Sequence, residues 1–219
     1  MTESPNHDNR MPADHLSPRR FEGDYPLSAA TPPRPRSDRG TRPLQVLFVC
    51  TANICRSAYA DVLANSSGIS GAQFTSAGTH ALVGHPIDPP MAARLPRGVD
   101  WAGHRARQLT QGIAERADLI IAMSERHREY VLDEWPVLAR RTFLIGQVAR
   151  EMRTMPLEVP LSAATEHLWR NRTRQSGDSI RDPFGRGDQA AAECAARIDA
   201  MLGEILDRIQ RSELGRSVP

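Results

Sequence analysis

One short stretch constrains this chain more than any other: an apolar strand followed at once by a seven-residue loop and a helix. Residues 44–49 read Leu-Gln-Val-Leu-Phe-Val, a pattern typical of a buried strand. The sequence Cys-Thr-Ala-Asn-Ile-Cys-Arg-Ser follows over residues 50–57 and leads into a predicted helix over 57–66. Backbone N–H groups of such a loop converge at the positive end of the helix dipole. The stretch therefore predicts a binding site for a tetrahedral oxyanion.

The residue types in this loop suit nucleophilic attack on phosphorus. Cys50 lies at the end of the strand, where the positive field of the loop stabilises a thiolate, and Ser57 is placed to donate a hydrogen bond to its sulfur. Arg56 offers a planar clamp for two oxygens of the anion. The amides predicted to hold the substrate belong to Thr51, Ala52, Asn53, Ile54 and Cys55.

Transfer of a phosphoryl group to a thiolate also needs a proton donor for the leaving group. The candidate is Asp182, which opens the sequence Asp-Pro-Phe-Gly at residues 182–185. Pro183 stiffens this segment, and Phe184 is predicted to form an apolar wall of the substrate site. Cys50, Arg56 and Asp182 are thus the predicted catalytic residues.

Strand patterns alternate with helical patterns along the rest of the chain. Strands are predicted over residues 44–49, 73–77, 117–123 and 141–144. Helices are predicted over 57–66, 88–95, from the end of the third strand to about 134, and over 146–153, 161–173 and 189–209. This alternation predicts an α/β fold in which helices cover both faces of a parallel sheet. Ligands of such sheets bind at the carboxyl ends of the strands, where the predicted loop lies.

The composition divides the chain and excludes several classes of protein. Residues 1–43 hold eight of the 17 prolines and are predicted to be a disordered tail, residues 44–210 a catalytic domain, and residues 211–219 a C-terminal tail. No apolar run approaches the ~18 residues of a membrane span. A net charge of +2 does not indicate nucleic acid as a partner. Three cysteines are too few for a secreted disulfide framework, which favours the cytoplasm.

A series of blocks, in order, resembles the low-molecular-weight protein tyrosine phosphatase family. The blocks are residues 46–61, Ser-Ala-Gly-Thr at 76–79, Gly-His-Pro-Ile-Asp-Pro at 84–89, Gly-Val-Asp at 98–100, His-Arg-Ala-Arg-Gln-Leu at 104–109, Asp-Leu-Ile-Ile-Ala-Met at 118–123 and Asp-Pro-Phe at 182–184. Together they cover residues 44 to about 210. The resemblance implies a three-layer α/β fold, in which helices flank a four-stranded parallel sheet and the phosphate-binding loop follows the first strand. It implies no metal and no other cofactor.

The resemblance also implies a function and the roles of single residues. Cys50 would be the nucleophile that forms a cysteinyl-phosphate intermediate, Arg56 the phosphate clamp, and Asp182 the general acid and then the general base. The residues that match positions supporting the loop are Asn53, Ser57, Ser76 and His104. The expected activity is that of a cysteine-dependent phosphomonoesterase in bacterial signalling, acting on a phosphotyrosine protein or another phosphomonoester. Neither a nucleic acid nor a membrane is expected as a partner.

The chain departs from the family pattern around the loop and at its rim. Ala52 stands where the family has glycine, and a positive φ at this position would strain it by roughly 1 kcal/mol. Phe184 is the one aromatic residue expected at the rim. Three arginines near it favour an acidic substrate: Arg174, Arg181 and Arg186. Residues 150–180 match least and have no predicted role.

The remaining cysteines and two histidines carry weaker predictions. Cys55 either forms a reversible disulfide with Cys50 or packs in the core, and both interpretations stay open. Cys194 lies on the apolar face of the last helix and is predicted to be buried. His85 and His127 are predicted to lie at the surface.

Two other functions fit the same loop. Arsenate is a tetrahedral oxyanion of similar size, so an arsenate reductase that uses an external small thiol is one alternative. A version with an internal relay is disfavoured, because residues 56–193 contain no cysteine. A phosphate-binding regulatory module with weak catalysis is the other, favoured by Ala52 and by the thin aromatic wall.

Overall fold

The computed structural model describes residues 42–216 of the chain. The predicted N-terminal tail lies outside this range except for its last two residues, and it stays a prediction. The strands are β1 (Leu44–Cys50), β2 (Ala72–Gly78), β3 (Leu119–Ala122) and β4 (Thr142–Leu144). The α-helices are α1 (Arg56–Ser66), α2 (Pro89–Ala92), α3 (Gln111–Arg116), α4 (Glu125–Glu134), α5 (Ile145–Thr154), α6 (Ala164–Asn171) and α7 (Gly187–Arg216). Short 3₁₀ helices cover Pro136–Arg141 and Leu161–Ala163.

The four strands form one parallel sheet in the order β2-β1-β3-β4. The predicted fold class is therefore confirmed. β1 and β3 occupy the two central positions, so the carboxyl ends of the most buried strands lie side by side. The loop after β1 and the start of α4 after β3 consequently meet at the same edge of the sheet.

Alternating side chains of the strands fill two separate apolar clusters, which gives the fold its three layers. Val46, Phe48 and Ile121 face the larger cluster, which includes residues of α1, α5, α6 and α7. Leu47 and Ile120 face the smaller cluster, which includes residues of α3, α4 and the first 3₁₀ helix. Among the helices between residues 42 and 216, none combines the length and apolar character that a bilayer crossing needs.

The bounds of several helices differ from those predicted. α3 was not predicted, because its six residues carry only two apolar side chains; the side-chain oxygen of Thr110 caps it by accepting from the Ile113 amide. α2 is one turn long, and α7 continues to Arg216, beyond the predicted end at 209. Short helices give too few turns for a periodic pattern, and polar residues at the end of a long helix conceal its continuation.

Candidate active site

The loop between β1 and α1 turns its carbonyl oxygens outwards. Each carbonyl from Cys50 to Cys55 accepts a hydrogen bond of 2.8–3.0 Å from a group outside this six-residue run. In order along the loop, the donors are the amides of Thr79, His80 and Leu82, the imidazole Nε2 of His104, and the amides of Asp88 and Tyr59. Because a peptide unit points its N–H opposite to its C=O, this arrangement favours N–H groups that face the interior of the loop. Most of these donors lie in the segment after β2, where the sequence predicted a supporting role for His104 alone.

Asn53 makes the reversal of the loop possible. Its φ is 58°, and it is the only non-glycine residue with positive φ among those described. The condition for strain at Ala52 is therefore not met, because the left-handed conformation falls one residue later. Asparagine tolerates this conformation better than most residues. Its side chain also accepts from the Arg107 amide at 2.9 Å, which ties the loop to the segment before α3.

The Ser57 hydroxyl links Asn53 to the Cys50 sulfur. The Nδ2 group of Asn53 donates to the Ser57 hydroxyl oxygen at 2.9 Å, and that oxygen lies 2.9 Å from the Cys50 sulfur. The hydroxyl oxygen accepts from Asn53 and keeps its own proton, so it is able to donate to a thiolate at Cys50.

Arg56 connects the loop to the predicted acid. Its side chain is 5% exposed, and it forms an ion pair of 2.8 Å with Asp182, whose side chain is 51% exposed. It also donates to the carbonyl of Ile180 at 3.2 Å. Its Nε atom is buried and has no acceptor among the described residues. The structure thus brings the three predicted catalytic residues to one place and leaves one guanidinium donor available there.

The segment that carries Asp182 is anchored by contacts with α5 and with the end of β3. Asp178 is buried and pairs with Arg150 of α5 at 2.7 Å, and its second carboxylate oxygen accepts from the Gln175 amide at 2.8 Å. The Ile180 amide donates to the carbonyl of Met123, directly after β3, at 2.8 Å. Residues 150–180 had no predicted role. These contacts show that part of the segment has a structural role, because they fix the position of the residues that lead to Asp182.

Phe184 lies beside Asp182, and its amide is 3.3 Å from that carboxylate. Its side chain is 56% exposed, so little of it is covered by the protein. Near this rim, the exposed Arg174 is 3.7 Å from Glu125 of α4. Arg181 and Arg186 are also exposed.

An outer layer of polar residues supports the loop. His104 bonds the Asn53 carbonyl directly at 2.9 Å. The Ser76 hydroxyl instead donates to Asp61 at 2.7 Å, and its carbonyl accepts from the Arg107 side chain at 2.7 Å. Ser76 therefore reaches the loop through Arg107, which bonds Asn53. Burial raises the pKa of Asp61, while the hydrogen bond from Ser76 opposes the rise.

Gly78 allows β2 to approach the loop closely. A Cβ atom added here would lie 2.4 Å from the Thr51 carbonyl oxygen, far inside van der Waals contact. Only glycine fits this position while the Thr51 carbonyl bonds the His80 amide.

His127 lies in the interior, so the prediction of a surface position is wrong for it, whereas His85 is exposed as predicted. One ring nitrogen of His127 is 2.9 Å from the Thr51 hydroxyl, and the other is 3.0 Å from the Ser124 hydroxyl. Burial, and then the positive charge of Arg56, lower the pKa of His127 to about 3. The ring is therefore neutral and belongs to the surroundings of the loop.

All three cysteines are buried and unpaired. Burial is the main cause that raises the pKa of the Cys55 thiol, followed by the nearby carboxylate of Asp88, to which it donates a hydrogen bond. A disulfide between Cys50 and Cys55 stays a prediction. Cys194 lies in the core as predicted, and burial raises its pKa to about 12. Within residues 42–216 no cluster of three or more His, Cys, Asp or Glu side chains is arranged to hold a metal ion.

The sequence and the fold of this chain are similar to those of known proteins. The sequence profile described as "Low molecular weight phosphotyrosine protein phosphatase" matches residues 45–165. The low molecular weight protein-tyrosine-phosphatase Etp of Escherichia coli (strain K12) is 33% identical over 154 residues, which are 70% of this chain and 93% of Etp. The chain belongs to the low molecular weight phosphotyrosine protein phosphatase family. The resemblance seen in the sequence is thereby confirmed.

Relatives of this phosphatase differ in the substrate they are named for. A protein-arginine-phosphatase of Geobacillus stearothermophilus is 31% identical over 171 residues, which are 78% of this chain and 99% of that protein. The solved structure of the YwlE arginine phosphatase from the same organism superposes with a TM-score of 0.63 at 22% identity, over 81% of this chain and 99% of that one. The structural match shows the shared fold.

The sequence alone missed several residues around the phosphatase site. His127 and Arg107 contact the loop, and Arg150 contacts Asp178 of the acid segment, from distant parts of the chain. One signal for His127 was available, because α4 begins directly after β3 and therefore beside the loop. Arg107 and Asp178 gave none, since their partners depend on the course of long connections.

Proposed function

We propose that this phosphatase hydrolyses phosphate monoesters of protein tyrosine through a cysteinyl-phosphate on Cys50. The observation that carries the proposal is the buried Arg56 guanidinium, whose Nε has no acceptor in residues 42–216. Arg56 directly follows the loop, whose carbonyls from Cys50 to Cys55 all bond partners outside it, which favours inward N–H groups. Buried donors without acceptors are rare in proteins, and the oxygens of a bound phosphate supply the acceptors that are missing here.

In the first step the Cys50 thiolate attacks phosphorus opposite the ester oxygen. The S–P bond forms, the P–O bond to the leaving group breaks, and Asp182 gives its proton to the departing oxygen. Arg56 and the loop amides hold the three equatorial oxygens, where the charge of the transition state is spread.

In the second step water replaces the cysteine. Asp182, now a carboxylate, takes a proton from water as the water oxygen bonds to phosphorus. The S–P bond breaks, and the thiolate of Cys50 leaves with the hydrogen bond from Ser57 to stabilise it. The half-exposed position of Asp182 supports this role, because water reaches its carboxylate from the solvent.

Phosphotyrosine is the substrate favoured here, since Phe184 stands at the rim beside the acid and is available to pack on an aromatic ring. Phosphoarginine is the second candidate. It is favoured by the arginine phosphatase among the relatives. It is also favoured by Leu82 and Val83, exposed aliphatic residues next to the loop that offer no aromatic surface to a tyrosine ring. Peptides carrying each phosphorylated residue, compared by kcat/KM, decide between them.

The test of the reaction is hydrolysis of p-nitrophenyl phosphate by the reduced protein. Wild type should turn over, Cys50→Ser should be inactive, and Asp182→Ala should be slower, whereas the matched control Cys194→Ala should keep wild-type activity. Absence of turnover by folded wild type would leave the phosphate-binding module as the better function. Robust turnover by Cys50→Ser would remove Cys50 as the nucleophile. Arsenate reduction with a small thiol that far outpaces ester hydrolysis would favour the reductase.

We also propose that the phosphatase works in the cytoplasm. A catalytic thiolate with two further unpaired cysteines is suited to a reducing compartment. Fractionation of cells that produce the full chain tests this, and recovery in an oxidising compartment would contradict it.

A further inference from the structure

A buried histidine lies directly behind the phosphate loop and has no part in the proposed reaction. His127 lies in the first turn of α4 and is 4% exposed. Its Nε2 is 2.9 Å from the Thr51 hydroxyl and its Nδ1 is 3.0 Å from the Ser124 hydroxyl. Both ring nitrogens are therefore satisfied by hydroxyl groups, and one of these belongs to the residue that follows the nucleophile.

The charge state of this histidine limits what it can do. Burial and the neighbouring Arg56 both disfavour a second positive charge at this point. A neutral ring carries one N–H and one lone pair, so it donates to one hydroxyl and accepts from the other. Whichever tautomer is present, the Thr51 side chain is fixed by the ring.

Thr51 is consequently held at two points. Its carbonyl accepts from the His80 amide at 2.9 Å, and its hydroxyl bonds His127. The Thr51 carbonyl shares its peptide plane with the Ala52 N–H, so the bond from His80 sets where that N–H points. The Thr51 N–H shares the plane of the Cys50 carbonyl, which accepts from the Thr79 amide at 2.9 Å. The hydroxyl bond to His127 fixes Thr51 between these two planes, whose N–H groups are the first loop amides after the Cys50 sulfur.

We propose that His127 is a positioning residue of the phosphate loop, which acts through Thr51 to hold the loop in the geometry that binds the transferring phosphoryl group. The inference rests on the proposed function, since it assigns a part in the same site. It extends that function to the helix after β3, which supplies none of the predicted site residues.

A double-mutant cycle tests whether His127 acts through Thr51. His127→Ala and Thr51→Val each remove the hydrogen bond, and we expect each to lower kcat/KM for p-nitrophenyl phosphate by about tenfold. The double variant should be no slower than the slower single variant, because both changes remove one interaction. Thr51→Ser, which keeps the hydroxyl, should be less impaired than Thr51→Val. His85→Ala, a surface histidine change, should leave activity unchanged.

Inhibitor binding separates positioning from a merely structural role. Vanadate forms a five-coordinate species that resembles the transition state, whereas phosphate resembles the ground state. We expect Thr51→Val and His127→Ala to weaken vanadate inhibition about as much as they lower kcat/KM, and phosphate inhibition by less. A lower melting temperature with unchanged vanadate affinity would overturn the proposal. The proposal would also be overturned if the fold-losses of kcat/KM in the two single variants multiplied in the double variant, because the two side chains would then act independently.

Two further measurements test the role of His127 separately from the proposed function. If His127→Ala does not fold, Thr51→Val against Thr51→Ser still tests the hydroxyl, and His127→Gln tests whether another neutral group restores the effect. Wild-type activity in Thr51→Val would overturn the inference alone. If wild type does not turn over, the proposed function fails, and calorimetry with vanadate still compares the variants. Equal vanadate affinity across them would overturn the role of His127.

Discussion

Replacing Asn53 by alanine removes the residue on which the shape of the loop depends most. The side chain is fully buried, donates to Ser57 and accepts from the Arg107 amide. Alanine leaves both partners unpaired, at about 1–3 kcal/mol each. The left-handed backbone costs alanine about 1 kcal/mol more. We therefore expect the free energy of unfolding to fall by about 5 kcal/mol, the middle of the combined range of about 3–7 kcal/mol.

Asn53→Gly is the matched variant, because it loses the same two hydrogen bonds but accepts a positive φ freely. Its loss of stability should be smaller than that of alanine by about 0.5–1 kcal/mol. Urea unfolding, followed by tryptophan fluorescence, measures both. Turnover of p-nitrophenyl phosphate should fall in both variants, because Ser57 is no longer oriented towards the sulfur. An alanine variant as stable as the glycine variant, or two variants as stable as wild type, would refute this reasoning.

Three further predictions test the surroundings of the loop. Gly78→Ala places a Cβ 2.4 Å from a loop carbonyl oxygen and should weaken inhibition by phosphate. Gly103→Ala is the control, because a Cβ there has no atom within 4 Å, and equal inhibition of the two variants by phosphate would contradict the close approach of β2 to the loop. Asp178→Asn removes the charge paired with Arg150, so turnover of phenyl phosphate, which needs the acid most, should fall more than that of p-nitrophenyl phosphate. His127 has its pKa lowered from 6.5 to about 3, so its contribution to stability is complete above pH 6.5 and is lost as the pH falls towards 3. The free energy of unfolding, measured with urea between pH 6.5 and 3, should therefore fall less steeply with decreasing pH in His127→Gln than in wild type. Identical slopes in the two proteins would exclude a neutral buried ring.

Parts of the fold that depend on local pattern were predictable. β1 and β3 are runs of apolar residues between turns, and the alternation with helices defined the parallel sheet. α3 was missed, because its hydrophobic pattern is too short to be periodic. α7 was predicted too short, since its last residues are largely polar.

Site residues that are close in sequence were predictable, whereas those that are distant in sequence were not. Cys50, Arg56 and Ser57 were found because they lie within one stretch of eight residues and their roles follow from one loop. His127 was misplaced at the surface, because its partner Thr51 is 76 residues away in the chain. The left-handed residue is Asn53 and not Ala52, a position that depends on which carbonyls the surrounding segments bind. Spacing in the sequence carries no information on those segments.

A rapid-quench experiment on the phosphoenzyme tests the double displacement most directly. Wild type and Asp182→Asn are mixed with p-nitrophenyl phosphate, quenched, and analysed by peptide mass spectrometry. We predict one phosphoryl group on the peptide that carries Cys50. More of it should accumulate in Asp182→Asn, because this substrate leaves without an acid while hydrolysis of the intermediate still needs the base. Turnover without any phosphoryl group on Cys50, or a phosphoryl group that persists in Cys50→Ser at another residue with activity retained, would contradict the mechanism.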